Sequence, residues 1–112
     1  MADSLKVLGQ LDPSATTITT LYTVPDMAQT TVSSIVAANR TGSAITFRLS
    51  VHVAGASADD KQYLYYDKSV GANDSLAIVI GITLNQADVV KVYTSASNMS
   101  FNIFGCETKE SR

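Results

Sequence analysis

The chain has 112 residues, of which 46% are hydrophobic and only 16% charged, against roughly 25% charged in a typical soluble domain. This length suits one domain with a real core, and its apolar and β-branched content excludes global disorder. No apolar run approaches the roughly 20 residues of a membrane-spanning helix, and the net charge of -2 argues against sequence-independent nucleic-acid binding.

Met1-Ala2-Asp3-Ser4 opens without a basic segment before an apolar core, so the expectation is no secretory signal. A first short strand is expected over 5–10 and a second over 18–24, stopped by Pro25, which cannot donate to a ladder. A third, over 31–38, is rich in β-branched and small residues. The clearest strand covers 45–53, where Ile45, Phe47, Leu49, Val51 and Val53 alternate with Thr46, Arg48, Ser50 and His52. One face of it is buried and the other wet. Residues 54–61 read as a loop rather than a helix, and 62–66 as an aromatic strand.

Over 76–84, Leu76, Ile78, Ile80, Ile82 and Leu84 alternate with small or apolar partners. That pattern predicts one strand covered on both faces, with Gly81 marking a bulge or a close backbone approach. A β-branched run over 88–93 and the alternation of Met99, Phe101 and Ile103 complete about eight strands. Turn compositions such as Asp12-Pro13-Ser14 and Gly71-Ala72-Asn73-Asp74 separate them. The spacing predicts an all-β fold: a single antiparallel β-sandwich, jelly-roll-like or Greek-key, with its core over about 5–106. The charged segment 107–112 is expected to be a solvated tail.

The sequence carries few tools for catalysis. His52 is the only histidine and Cys106 the only cysteine. A nucleophile–base couple would pair His52 with Cys106 or a serine, with Asp59 or Asp60 as orienter. The plainer reading is an exposed strand histidine and a small half-buried cysteine. Two such ligands do not make a zinc site. Asp59-Asp60 lacks the spaced acidic loop of a calcium site and reads as a hydrated turn. The expectation is therefore no enzyme, no metal and no cofactor. The three glycosylation sequons, which begin at Asn39, Asn73 and Asn98, read as chance matches.

The tyrosines are more informative. Tyr63, Tyr65 and Tyr66 crowd one short strand, with Tyr63 and Tyr65 expected on one face and Leu64 and Tyr66 on the other. Tyrosine joins a large apolar ring to a polar tip, so these rings suit core packing, a subunit or partner contact, or a sugar ligand. Arg48 and Lys91 are the basic residues of the clearest strands. Outer faces this poor in charge suit a surface covered by other subunits.

Particular strings carry a resemblance. They are Leu21-Tyr22-Thr23-Val24-Pro25, Val32-Ser33-Ser34-Ile35-Val36-Ala37-Ala38-Asn39-Arg40, Phe47-Arg48-Leu49-Ser50-Val51, Tyr63-Leu64-Tyr65-Tyr66-Asp67, Asp88-Val89-Val90-Lys91-Val92-Tyr93 and Ser100-Phe101-Asn102-Ile103-Phe104-Gly105. Together they resemble small virion structural proteins of tailed phages, of the marine and cyanobacterial type. The resemblance implies a non-enzymatic virion component, a head decoration or cement protein or a head–tail accessory. It implies contacts with copies of itself, a trimer being the first expectation, and with major capsid or tail proteins. No nucleic acid and no membrane are implied. The alternative is a tail- or fibre-associated β module that binds host surface glycan.

Overall fold

The computed structural model describes residues 2–109. It forms nine strands: β1 (Ala2–Leu11), β2 (Thr19–Thr23), β3 (Ala28–Asn39), β4 (Ile45–His52), β5 (Tyr63–Val70), β6 (Ser75–Ile78), β7 (Ile82–Leu84), β8 (Val89–Thr94) and β9 (Met99–Lys109). One sheet runs β1-β9-β3-β6, with β7 also pairing β3; the other runs β2-β8-β4-β5. Every pairing is antiparallel. With β6 and β7 counted as one interrupted strand, eight strands follow jelly-roll order, the chain crossing between the sheets at every connection except that from β4 to β5. The all-β antiparallel sandwich expected from the strand spacing is the observed fold.

The two segments with the clearest alternation supply opposing walls of the core. Ile45, Phe47 and Leu49 of β4 face inward, as do Met99, Phe101 and Ile103 of β9. Phe47 and Phe101 meet edge-on across the sheets, ring centroids 5.8 Å apart. Each such side chain contributes about 1.5–3 kcal/mol by leaving water.

The five-strand sheet is kinked at Gly105. β1 carries an extra residue between Val7 and Gly9, opposite the Ile103–Phe104 step of β9, and β3 carries one between Val32 and Ser34, opposite the Phe104–Gly105 step. A Cβ on Gly105 would lie 2.2 Å from the Thr31 carbonyl oxygen, so only glycine permits this approach.

The same bulge in β3 corrects the reading of 76–84. β6 pairs with Ile35–Ala38 and β7 with Thr30–Val32, so the ladder breaks where β3 bulges. One expected strand becomes two. It is not covered on both faces: Ile78, Ile82 and Leu84 point inward, whereas Val79 is 75% exposed. Gly81 sits at the break with open space around it rather than at a close approach.

The 54–61 segment is a loop, as read, flanked by short 3-10 turns at Val53–Gly55 and Asp60–Gln62. The tail reading needs a larger correction. β9 continues to Lys109, and Glu107 is 2% exposed. The first strand likewise begins earlier than expected, at Ala2. The tail expectation for 110–112 lies outside the described residues.

Candidate functional site

β5 is one of the two edge strands of the four-strand sheet, and its departures from a regular ladder aim its tyrosines. Leu49 pairs with Tyr65, but the next residue of β4, Ser50, pairs with Tyr63, which leaves Leu64 as an extra residue. In the other direction, Phe47 pairs with Lys68, so Tyr66 and Asp67 together oppose the single residue Arg48. Asp67 takes a positive φ of 51° there, a conformation that aspartate tolerates better than most residues.

These two bulges overturn the expected faces. Tyr65 turns inward and stacks on Phe47, ring centroids 5.9 Å apart. Tyr63 and Tyr66 meet edge-on instead, at 4.9 Å. The structure thus divides the predicted trio, sending one ring to the core and bringing two together outside it.

Arg48 organises the outer surface. Its guanidinium lies 4.1 Å from the centre of the Tyr66 ring and 4.5 Å from that of Tyr93, its direct neighbour on β8. Its Nε donates to Asp67 Oδ1 at 2.7 Å, and Nη2 reaches Oδ2 at 3.4 Å. The bulge therefore supplies both a ring and a carboxylate to one guanidinium. The bond to Asp67 raises the Arg48 pKa despite the opposing effect of desolvation, so the charge is permanent. Tyr66 remains 58% exposed and Leu64 45%. The result is an ordered aromatic platform with a fixed positive centre and a carboxylate beside it.

His52 is on the outward side of β4, as its place in the alternation requires, but it is not exposed. It is 1% accessible, because the 53–62 loop folds over it. Nδ1 lies 2.9 Å from the Ala56 carbonyl, which only accepts, so Nδ1 carries the proton. Nε2 then accepts from Ser50 Oγ at 2.9 Å. This serine–histidine pair has a backbone carbonyl as its orienter. Asp59 instead caps the 3-10 turn at Asp60–Gln62, accepting from the Lys61 amide. Ser50 is itself 5% exposed, and the arrangement clamps the loop to the sheet. Cys106 is half-buried on the other sheet, cross-strand from Leu5 and Thr31. The fold does not bring it to His52. Among the described residues no group of three or more His, Cys, Asp or Glu could hold a metal ion.

A second cluster escaped the reading of the sequence altogether. Glu107 points into the sandwich, where the Tyr22 hydroxyl donates to Oε2. Thr30 lies 2.8 Å from that same hydroxyl. Lys6 faces Gly105 across the ladder, which has no side chain, and its Nζ reaches Glu107 Oε1 at 2.7 Å. Burial alone would raise the Glu107 pKa, but the bonds from Lys6 and Tyr22 outweigh it and hold the carboxyl below its ordinary value. Burial, with the bond to Glu107 second, pushes the Tyr22 phenol up. One signal was present: the inward alternation of Met99, Phe101, Ile103 and Gly105, extended by one step, lands on Glu107.

No family model, curated protein or solved structure matches this chain.

Proposed function

We propose that this chain is a non-enzymatic structural component of a tailed-phage virion, one that decorates or cements the head or serves at the head–tail junction through subunit contacts. The observation that carries this reading is the platform of Tyr63, Tyr66, Arg48 and Tyr93. Tyrosine and arginine dominate the energetic centres of protein interfaces. Here they are already held in place, so docking loses little side-chain freedom. The chain as a whole is poor in charge, with 16% charged residues, and the strings in β2 to β5, β8 and β9 that resemble virion proteins point the same way. The partners are major capsid or tail proteins and other copies of the chain.

The test is add-back of the purified chain to stripped heads and to isolated tails. The wild type binds one of them, and the Tyr63→Ala, Tyr66→Ala double variant binds at least about tenfold more weakly, the equivalent of about 1.4 kcal/mol. Equal binding by the double variant, or no binding by the wild type to either, overturns the proposal.

A second reading takes the same platform as a glycan site, because the exposed Tyr66 ring lies beside the Arg48–Asp67 pair. Sugars stack on rings and bond to such polar neighbours. A glycan array on which the wild type retains nothing removes this reading.

A further inference from the structure

We infer that β1 is the contact by which two copies of this chain pair, β1 adding antiparallel to β1 of a second copy across a two-fold axis. The inference rests on the subunit-contact reading above and names a different surface from the tyrosine platform.

An edge strand presents a row of unpaired backbone groups that templates pairing with another chain, and proteins blunt such edges by bulges, short strands or charges. Three of the four edges are blunted here. β2 has five residues and shifts register between Thr20 and Tyr22. β5 is bulged twice. The β6–β7 edge is broken at Val79–Gly81. β1 is different. It pairs with β9 on one side only, and its register is regular from Ala2 to Val7.

The charges of β1 are also committed to its own chain. Lys6 reaches inward to Glu107 at 2.7 Å, and the Asp3 carboxylate accepts from Thr108 Oγ1 at 2.9 Å. What remains on the outer face is apolar: Leu5 is 85% exposed and Val7 49%. The same face continues across the sheet as an open apolar hollow bordered by Leu5, Phe104 and Cys106.

The strand is self-complementary in one register. A two-fold axis normal to the sheet keeps like faces together, so a residue meets one of its own parity. Centred on Leu5, the register sets Leu5 against Leu5, Lys6 against Ser4 and Val7 against Asp3. Centred on Lys6, it would oppose two ammonium groups; centred on Ser4, it would set each Leu5 against Asp3. The Leu5 register alone pairs the exposed leucines and opposes no like charges. A two-fold contact closes after two copies, so the first assembly is a dimer rather than the trimer that the resemblance implies.

The experiment is sedimentation of the full chain over a concentration series. The wild type is expected to dimerise, and Leu5→Lys to weaken the dimer by at least about tenfold, since it sets two ammonium groups face to face on the axis. Leu5 is so exposed that this variant keeps its fold, which its unfolding midpoint verifies. A second arm uses Leu5→Cys with Cys106→Ser, because Cys106 is the cross-strand neighbour of Leu5 and would otherwise capture the new thiol within one chain. Oxidation should then yield a covalent dimer. A wild type that stays monomeric, a dimer indifferent to Leu5→Lys, or an oxidised variant that stays monomeric overturns the pairing. Each leaves the platform reading standing, because that reading is decided by add-back of the wild type and of the Tyr63 and Tyr66 double variant.

Discussion

Two clusters in this molecule are built from the same parts, a base, an acid and tyrosine, and differ in where they sit. Lys6, Glu107 and Tyr22 meet inside the sandwich, where Glu107 is 2% exposed. Arg48, Asp67, Tyr66 and Tyr93 meet on the outer face of the other sheet, where the Asp67 side chain is 48% exposed. Inside, water cannot replace a partner lost by the buried Glu107 or Tyr22, so their bonds carry stability, although Lys6 itself reaches solvent. Outside, water can replace any partner, and stability depends little on the order that exists there. Order without a stability role is what a preorganised contact surface needs. The same chemistry is a fastening in one place and a presented face in the other.

The sharpest way to break this contrast is Glu107→Ala. It takes the carboxylate acceptor from the buried Tyr22 hydroxyl, leaving that hydroxyl only Thr30, and is expected to lower unfolding free energy by about 2–3 kcal/mol, somewhat under the usual loss for a broken buried pair because Lys6 can turn to solvent. Urea denaturation measures this; a loss within error would place the two clusters in one class.

Next in size is the loop clamp. Ser50→Ala leaves His52 Nε2 buried without a donor, and the expected loss is about 1–2 kcal/mol. Hydrogen exchange should quicken across residues 53–62, which the imidazole holds through Ala56. Unchanged exchange there would remove His52 as the clamp.

The pH dependence carries opposite signs at its two limbs. Glu107 ionises at lower pH in the folded chain than in the unfolded one. Its contribution is whole above the unfolded value of about 4.3 and is lost as pH falls through the folded value. Tyr22 has a raised pKa in the folded chain. Its contribution is whole below the unfolded value of about 10 and is lost as pH rises toward the folded one. Glu107→Gln should flatten the acid limb and Tyr22→Phe the alkaline limb, as read from urea midpoints across pH. A limb unchanged by its variant would remove that residue's titration from the stability of the Lys6–Glu107–Tyr22 cluster.

The smallest effect on stability is expected at the platform. Tyr66→Ala should leave the urea midpoint nearly unmoved while weakening particle binding. A large drop in midpoint would show that the platform is a fastening like the Glu107 cluster.

Much of the fold was legible because alternation is a local signal. Ile45, Phe47 and Leu49 announce an inner face whatever they pack against, and so do Met99, Phe101 and Ile103. The misread faces of the tyrosines and the misread strand over 76–84 share one cause, the bulge. A single extra residue reverses which face the following side chains take, and nothing local in Tyr63-Leu64-Tyr65-Tyr66-Asp67 marks Leu64 as extra. Ser33 in β3 likewise leaves no trace in residues 76–84, yet it splits them into two strands. His52 was assigned to the correct side of β4, and its burial depended on a loop whose path the alternation does not describe.

What the sequence by itself determined is the architecture. Its period-two pattern, its turn residues and its single cysteine require a sandwich held by packing and hydrogen bonds. Only the tertiary structure decided which polar residues are buried, which tyrosines reach the surface and which edge is left regular. Those outcomes depend on register between strands far apart in the chain, as where Lys6 of the first strand finds Glu107 of the last. A pattern of neighbours along the chain fixes the faces of each strand, but pairing across the sheet fixes what each face meets.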